Sequence, residues 1–130
     1  MFELKDKIAL VTGGRRGMGR THALALAKQG AKVAITDMDV NECAPVVQEI
    51  KVQGGEAVCY KMDVLSKAEV EKVFDEVIKQ FGRLDILVNN AGIYFPKPAL
   101  ELTEEDWDKM IGTNLRGQFF CAQRAAKEKA

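Results

Sequence analysis

The sequence has 130 residues, and its 19 Lys and Arg residues balance 19 Asp and Glu residues, so the formal net charge is zero. This length accommodates one domain, residues 1–130, and a hydrophobic content of 47% excludes global disorder. The absence of excess positive charge argues against a nucleic-acid-binding or membrane-surface protein, and no apolar run approaches the roughly 18 residues of a membrane-spanning helix.

Short apolar runs rich in β-branched residues alternate along the chain with amphipathic segments of helical spacing. The apolar runs predict four buried strands, at Lys7–Thr12, Lys32–Thr36, Glu56–Met62 and Leu84–Val88. The amphipathic segments predict four helices, at Arg16–Gln29, at Val40–Gln53, from the N-cap Ser66 to Phe81, and from the N-cap Thr103 onwards. The segment Gly92–Leu102, which contains two prolines, is predicted as a loop.

This β-α-β-α-β-α-β-α order predicts an α/β fold with a Rossmann-like, doubly wound parallel sheet of four strands and four helices. Strands that are apolar throughout, rather than alternating, fit a sheet covered by helices on both faces. Proteins of this architecture bind ligands at the carboxyl ends of the strands. The residues that follow the predicted strands are therefore the candidates for function.

A glycine-rich turn leads from the first predicted strand into the first predicted helix, with the sequence Thr12-Gly13-Gly14-Arg15-Arg16-Gly17-Met18-Gly19. In a βαβ unit such a turn is typical of a dinucleotide-binding site. Gly13 permits the tight turn, Gly17 lets the backbone approach a pyrophosphate, and Gly19 lets the helix pack close to the strand. The N–H groups at the start of the helix would bind the phosphates. The alternative is a glycine-rich turn without a ligand.

An acidic residue, Asp37, directly follows the second predicted strand. A carboxylate at this place accepts hydrogen bonds from an adenosine ribose and repels a 2′-phosphate, which favours NAD over NADP. Arg15 and Arg16 in the glycine turn are the opposing signal, because arginine binds an additional phosphate. We expect NAD, because Asp37 would face the 2′-hydroxyl itself. The alternative is that Asp37 and Asp39 only place negative charge at the start of the second helix.

Three further motifs follow in order along the chain: Asp63-Val64 after the third strand, Asn89-Asn90-Ala91-Gly92 after the fourth, and Asn114 in the last helix. Together with the glycine turn, they make the chain resemble the N-terminal half of a short-chain dehydrogenase/reductase of the 3-oxoacyl-carrier-protein reductase type. The resemblance extends from about Leu4 to Ala126 and covers nearly the whole sequence.

The resemblance implies that the chain binds NAD(P) and that its substrates are alcohols or carbonyl compounds that react by hydride transfer. It implies that Asp63 and Val64 contact the adenine and that Asn90, Ala91 and Gly92 shape the cofactor site. It also implies that Asn114, the Asn of the family's catalytic tetrad, holds a water in a proton relay. We expect no metal site. Without the resemblance, the asparagine-rich segment would be a polar turn and Asn114 a structural amide.

The sequence departs from the family's pattern in the acid–base residues. The family uses a Ser and a Tyr-x-x-x-Lys pair, and this sequence lacks them. Tyr60 is followed at this spacing by Val64, and Tyr94 by Pro98. We therefore expect a truncated, cofactor-binding half that lacks general acid catalysis and is inactive alone. The alternatives are a non-catalytic NAD-binding module and an inert truncated or engineered Rossmann fragment. A Rossmann-like methyltransferase would share only the glycine turn.

The cysteines Cys43, Cys59 and Cys121 are odd in number and widely separated. This pattern predicts neither a disulfide framework nor a zinc site, and it fits a reducing cytoplasm. Each cysteine is expected to be a small buried residue of the core.

The fourth predicted strand, Leu84–Val88, is expected to lie at an edge of the sheet beside a partly apolar last helix. An unpaired apolar strand edge is a template for pairing with another chain. We therefore expect a homo-oligomer, or a complex with a complementing C-terminal half, formed through this strand, the last helix or both.

Overall fold

A four-stranded parallel sheet with helices on both faces is the framework of the computed structural model, which describes residues 3–13, 17–93 and 96–128. The strands are β1 (Ile8–Thr12), β2 (Lys32–Asp37), β3 (Ala57–Lys61) and β4 (Ile86–Val88). The helices are α1 (Gly17–Lys28), α2 (Val40–Val52), α3 (Lys67–Phe81), α4 (Glu104–Ile111) and α5 (Gly117–Lys127). None of the helices in these ranges is long and apolar enough to cross a membrane.

The strand order is β3-β2-β1-β4, and every neighbouring pair is parallel. Alternate side chains of β1 enter two separate core clusters. Ile8 and Leu10 pack with α3 and α5, whereas Ala9 and Val11 pack with α1 and α2. Because both faces are covered, β1 is buried at every position. The predicted Rossmann-like parallel sheet is confirmed.

The predicted last helix is divided into α4, a π-helical turn at Gly112–Arg116, and α5. The sequence pattern does not reveal this turn, because apolar residues continue through it at roughly helical steps. The predicted loop before α4 also contains a short 3₁₀ turn at Ala99–Glu101. Helix α4 itself begins with a complete capping box, in which the Thr103 hydroxyl accepts from the Asp106 N–H and the Asp106 carboxylate accepts from the Thr103 N–H.

Cys43 is buried in the core as predicted and Cys59 is half-buried, but these two cysteines differ from the prediction that no disulfide forms. Cys43 in α2 and Cys59 on β3 are paired as a disulfide, with their Cα atoms 6.4 Å apart. The expectation of unpaired thiols is therefore wrong for this pair. The cysteine spacing could not predict this pairing, because the contact arises from the packing of α2 across β3. Cys121 is a buried free thiol, as predicted.

Arg124 joins α5 to α3. Its Nε lies 2.9 Å from Glu71 Oε2, its Nη2 lies 2.6 Å from Asp75 Oδ1, and its Nη1 donates to Glu128 within 2.8 Å. The Arg124 side chain is only 9% exposed, whereas the carboxylates reach the solvent. Burial lowers the pKa of the guanidinium, but the hydrogen bonds to Asp75 and Glu128 and the charges of these carboxylates together outweigh burial and raise the pKa. No local pattern in the sequence indicates this cluster.

We expect Arg124→Ala to lower the free energy of unfolding by about 2 kcal/mol, because the change removes both the packed stem and the charge that three carboxylates share. Urea denaturation followed by circular dichroism measures the effect. Arg124→Met is the control, since it keeps most of the packed volume and is expected to recover about half of the loss. Equal stability of the alanine variant and the parent chain would contradict a stabilising role for this cluster.

Candidate functional site

A cavity of about 450 Å³ opens at the carboxyl ends of the strands. Residues that follow each of the four strands line it, together with residues of α4 and the π-helical turn. The order of the strands along the chain reverses between β1 and β4, and doubly wound proteins bind ligands at this point. The volume lies in the range of small-molecule pockets.

Gly13 forms the turn after β1 in a conformation that only glycine adopts readily, with φ at 66°. Its N–H donates to the Thr36 carbonyl at the end of β2, 2.8 Å away. A Cβ at this position would lie 2.9 Å from the Ala91 Cα. The turn is therefore held between the end of β2 and the segment that follows β4.

Gly17 and Gly19 begin α1 and differ sharply in their surroundings. A Cβ on Gly17, whose φ is 59°, would meet no atom of the described residues within 4 Å. A Cβ on Gly19 would overlap the Gly13 carbonyl oxygen and lie 2.5 Å from Asn90 Nδ2. Gly19 thus permits the close packing of α1, whereas the space beside Gly17 is open. Met18 between them is exposed.

The predicted contribution of Arg15 and Arg16 to phosphate binding lies outside the described residues. Their predicted role stays a prediction from the sequence.

The Thr12 hydroxyl fastens the end of β1 to the segment after β4. Its Oγ1 accepts hydrogen bonds from the Asn90 and Ala91 N–H groups, each at 3.0 Å. The Asn90 side chain completes the connection, since its Nδ2 donates to the Gly13 carbonyl at 2.9 Å. Thr12 opens the predicted glycine turn, but no sequence pattern indicates this role.

Two acidic residues lie on the cavity wall beyond the ends of β2 and β3. Asp37 is buried there, and its carbonyl accepts from the Met62 N–H at 2.8 Å. Asp63 also lines the cavity, and its carboxylate accepts from the Leu65 N–H at 2.9 Å. Asp39, in contrast, is the N-cap of α2. The alternative interpretation as helix-terminal charge describes Asp39. Asp37 lines the cavity, and its Oδ1 also accepts from the Asp39 N–H at 3.4 Å, so its predicted role at the ribose stays a prediction.

Asn114 lies in the π-helical turn and uses both ends of its amide on one residue. Its Oδ1 accepts from the Ile93 N–H at 2.8 Å, and its Nδ2 donates to the Ile93 carbonyl at 2.9 Å. Asn114 does not itself line the cavity, but Ile93 and the adjacent Thr113 do. The amide therefore fixes the segment after β4 against the π-helical turn.

Two glycines at the ends of the π-helical turn bring it against the loop between β3 and α3. A Cβ on Gly112 would lie 2.7 Å from Leu65 Cδ2, and a Cβ on Gly117 would lie 2.9 Å from the Val64 carbonyl oxygen. Arg116 Nη1 also donates to the Leu65 carbonyl at 3.1 Å. Glycine inside a helix is unfavourable unless a close approach requires it. The two glycines within the predicted last helix are therefore the sequence signal for this contact.

The structure brings most of the predicted cofactor residues together around the cavity. Those that line it are Gly13, Gly17, Asp37, Asp63, Val64, Asn90, Ala91 and Gly92. The lining residues that sequence reasoning did not single out are Thr36, Met38, Met62, Leu65, Ile93, Lys109 and Thr113. Most of the missed residues are sequence neighbours of predicted ones, whereas Lys109 and Thr113 reach the cavity from the helical segment that lies beside it.

A parallel sheet with a glycine turn, an acidic second-strand end and a cavity where the strand order reverses has the architecture of Rossmann-like proteins. Residues 7–129 match the family model described as short chain dehydrogenase. The chain belongs to the short-chain dehydrogenase family, and the resemblance drawn from its motifs is confirmed.

Relatives and solved structures of this family are similar over nearly the whole chain. A hydroxynaphthalene reductase-like protein of Metarhizium robertsii is 46% identical, over 94% of this chain and 46% of the relative. A 3-oxoacyl-[acyl-carrier-protein] reductase of Staphylococcus aureus is 44% identical, over 94% of this chain and 50% of the relative. A short-chain dehydrogenase of Burkholderia cenocepacia, solved in complex with NADP, is 39% identical with a TM-score of 0.92, over 97% of this chain and 52% of that one.

The chain thus spans about half the length of the curated relatives that it matches.

Proposed function

We propose that this chain is the cofactor-binding half of an NAD(P)-dependent short-chain oxidoreductase acting on an alcohol or carbonyl substrate. The observation that carries the proposal is the convergence of Gly13, Asp37, Asp63 and Asn90 on one cavity at the reversal of strand order. Family membership and the reductase names of the relatives support it.

The residues around the cavity fit a dinucleotide. The open space beside Gly17, at the N-terminus of α1, suits a pyrophosphate, because unpaired N–H groups and the helix dipole favour an anion there. Asp37 holds the adenosine ribose, and Asp63 and Val64 contact the adenine. Asn90, Ala91 and Gly92 shape the side that receives the nicotinamide. When bound, the coenzyme supplies or accepts the hydride.

Asn114 contributes to this proposal as a positioning residue. Both ends of its amide bond to Ile93, so it sets the place of the segment after β4. The sequence contains no Tyr-x-x-x-Lys pair, and general acid catalysis needs a proton donor near the reacting oxygen. The chain by itself therefore binds coenzyme without turnover.

Titration with NADH, followed by fluorescence, tests the binding proposal. Saturable enhancement is expected, and no change at millimolar NADH would overturn it in favour of an inert Rossmann fragment. Addition of the C-terminal half of the S. aureus reductase in trans then separates an oxidoreductase half from the second candidate, a non-catalytic NAD-binding module. Restored reduction of a carbonyl substrate supports the oxidoreductase, and saturable binding without any restored turnover supports the module.

We propose NAD as the preferred coenzyme, although the B. cenocepacia relative was solved with NADP. The buried Asp37 carboxylate lines the cavity, where it repels a 2′-phosphate. Asp37→Ala is expected to shift the ratio of NADPH to NADH affinities towards NADPH by about tenfold, or 1.4 kcal/mol. Competition binding of the two coenzymes measures this ratio.

Asp39→Ala is the matched control for this change. It removes the same charge two residues away, and it costs α2 about 1 kcal/mol of capping stability. The coenzyme ratio is expected to stay as in the parent chain. An unchanged ratio in Asp37→Ala would contradict the assignment of Asp37 to the ribose.

We propose that the chain associates with a second copy through α4, the π-helical turn and α5. Four apolar side chains at steps of four residues are exposed on this helical segment, Trp107, Ile111, Leu115 and Phe119. The nearby strand β4 is at the edge of the described sheet and pairs there with β1. Contiguous exposed apolar surface and an open strand edge are both features of interfaces.

Sedimentation velocity at high micromolar concentration tests this association. The chain is expected to form dimers, and Phe119→Lys is expected to weaken dimerisation by about tenfold, because it places a charge in the apolar contact. Val52→Lys is the control, since Val52 is more exposed than Phe119 but lies at the end of α2. A monomer at all concentrations would overturn the proposal.

A further inference from the structure

The paired cysteines connect α2 and β3, which flank the acidic wall of the cavity, that is, the part of the wall formed by Asp37 and Asp63. Cys43 lies in the first turns of α2, and Cys59 lies on β3, where it is in register with Ile35 of β2. Both sulfur atoms are close to the first residue of α2, at 3.5 Å and 3.9 Å from the Val40 carbonyl oxygen. The Cα separation of 6.4 Å lies in the range that a disulfide spans.

The segment that carries Asp37 runs between these two elements. It leaves β2 at Asp37 and enters α2 through the N-cap Asp39 and then Val40. On its other side, the Asp37 carbonyl accepts from the Met62 N–H just beyond β3. A covalent connection between α2 and β3 therefore restricts the α2 end of this segment, whereas the Met62 hydrogen bond holds the Asp37 end next to β3.

The two sulfurs differ in their accessibility to solvent, and this difference determines which of them is oxidised first. Cys59 is half-buried, whereas Cys43 is fully buried beneath it. A peroxide would reach the Cys59 sulfur first. Its O–O bond breaks, a sulfenic acid forms on Cys59, and one water is released after protonation. The Cys43 sulfur then attacks the Cys59 sulfur, the S–O bond breaks, the disulfide forms, and a second water leaves.

We propose that Cys43 and Cys59 are a site of reversible thiol oxidation by peroxide, whose disulfide clamps the start of α2 to β3 and strengthens binding at the adenosine end of the cavity. A small-molecule dithiol reverses the reaction by thiol–disulfide exchange, becoming oxidised itself. The disulfide form binds coenzyme more tightly, because the segment that carries Asp37 is already ordered and loses less conformational entropy when the coenzyme binds. The part of this inference that concerns coenzyme rests on the proposed function.

Three measurements on the full chain test the proposal. The chain is exposed to hydrogen peroxide or to dithiothreitol, and intact mass after alkylation counts the free thiols. Thermal unfolding is recorded for both forms, and each form is titrated with NADH. Cys59→Ala removes the half-buried partner, and Cys121→Ala is the control. Burial raises the pKa of Cys121 to about 11, so this thiol stays protonated and is a poor target.

We expect peroxide to remove two thiols in the parent chain and in Cys121→Ala, to raise the Tm by several degrees, and to lower the NADH Kd on the order of threefold. Cys59→Ala is expected to show none of these changes while keeping a cooperative transition. A disulfide that leaves Tm and Kd unchanged, or no disulfide under peroxide, would overturn the proposal. A redox-dependent Tm without NADH binding in either form would support the clamp and overturn the proposed function instead.

Discussion

Replacement of Gly19 by valine is expected to lower the free energy of unfolding by about 4 kcal/mol or more, enough to leave much of the chain unfolded. The reason is that the packing around Gly19 leaves no space for a Cβ atom. A Cβ on Gly19 would overlap the Gly13 carbonyl oxygen and lie 2.5 Å from Asn90 Nδ2. Neither group can move alone, since the Asn90 amide donates to this carbonyl and the Gly13 N–H donates to Thr36.

Urea denaturation monitored by circular dichroism measures this loss. Met18→Val is the control, because it introduces the same β-branched residue at an exposed neighbouring position of α1. Its effect is expected to stay within about 0.5 kcal/mol of the parent chain. If Gly19→Val also stayed within this limit, α1 would be able to move away from β1 at little cost, and the close packing would have no structural role.

Replacement of Gly17 by valine is expected to weaken NADH binding by about 100-fold, which corresponds to about 2.7 kcal/mol. The space beside Gly17 is open in the described structure, so the side chain would occupy the approach of the pyrophosphate instead of clashing with the protein. The fold is expected to persist with a loss of about 2 kcal/mol, because valine at a φ of 59° is strained.

Gly54→Val controls for that strain. Gly54 also has a positive φ, at 86°, and a Cβ there likewise meets no described atom within 4 Å. It follows α2 at the opposite end of the sheet from the candidate site. The two variants are expected to lose similar stability, but only Gly17→Val is expected to lose NADH binding in the fluorescence titration. Retained affinity in Gly17→Val would show that the glycine turn does not bind the phosphates.

The fold and the centre of the candidate site could be predicted because their signals are local. A strand that ends in glycines before a helix specifies both the βαβ turn and the position of Gly13. An acidic residue after the second strand specifies that Asp37 lies at the same edge of the sheet, since parallel strands end together. These inferences need only the order of the elements.

The remaining features depend on contacts between distant segments, which no local pattern contains. Lys109 and Thr113 line the cavity because the helical segment after the loop lies beside the carboxyl ends of the strands. The Arg124 cluster depends on the alignment of α5 with α3, and the Cys43–Cys59 pair depends on the packing of α2 across β3.

The π-helical turn has a geometric consequence for the outer surface of the molecule. In a regular α-helix, residues four apart rotate away from one another by about 40° at each step, so a row with this spacing winds around the axis. An underwound turn between Ile111 and Leu115 reverses part of this rotation. The row from Trp107 to Phe119 is thereby straightened, and deletion of one residue within the turn would twist it out of line.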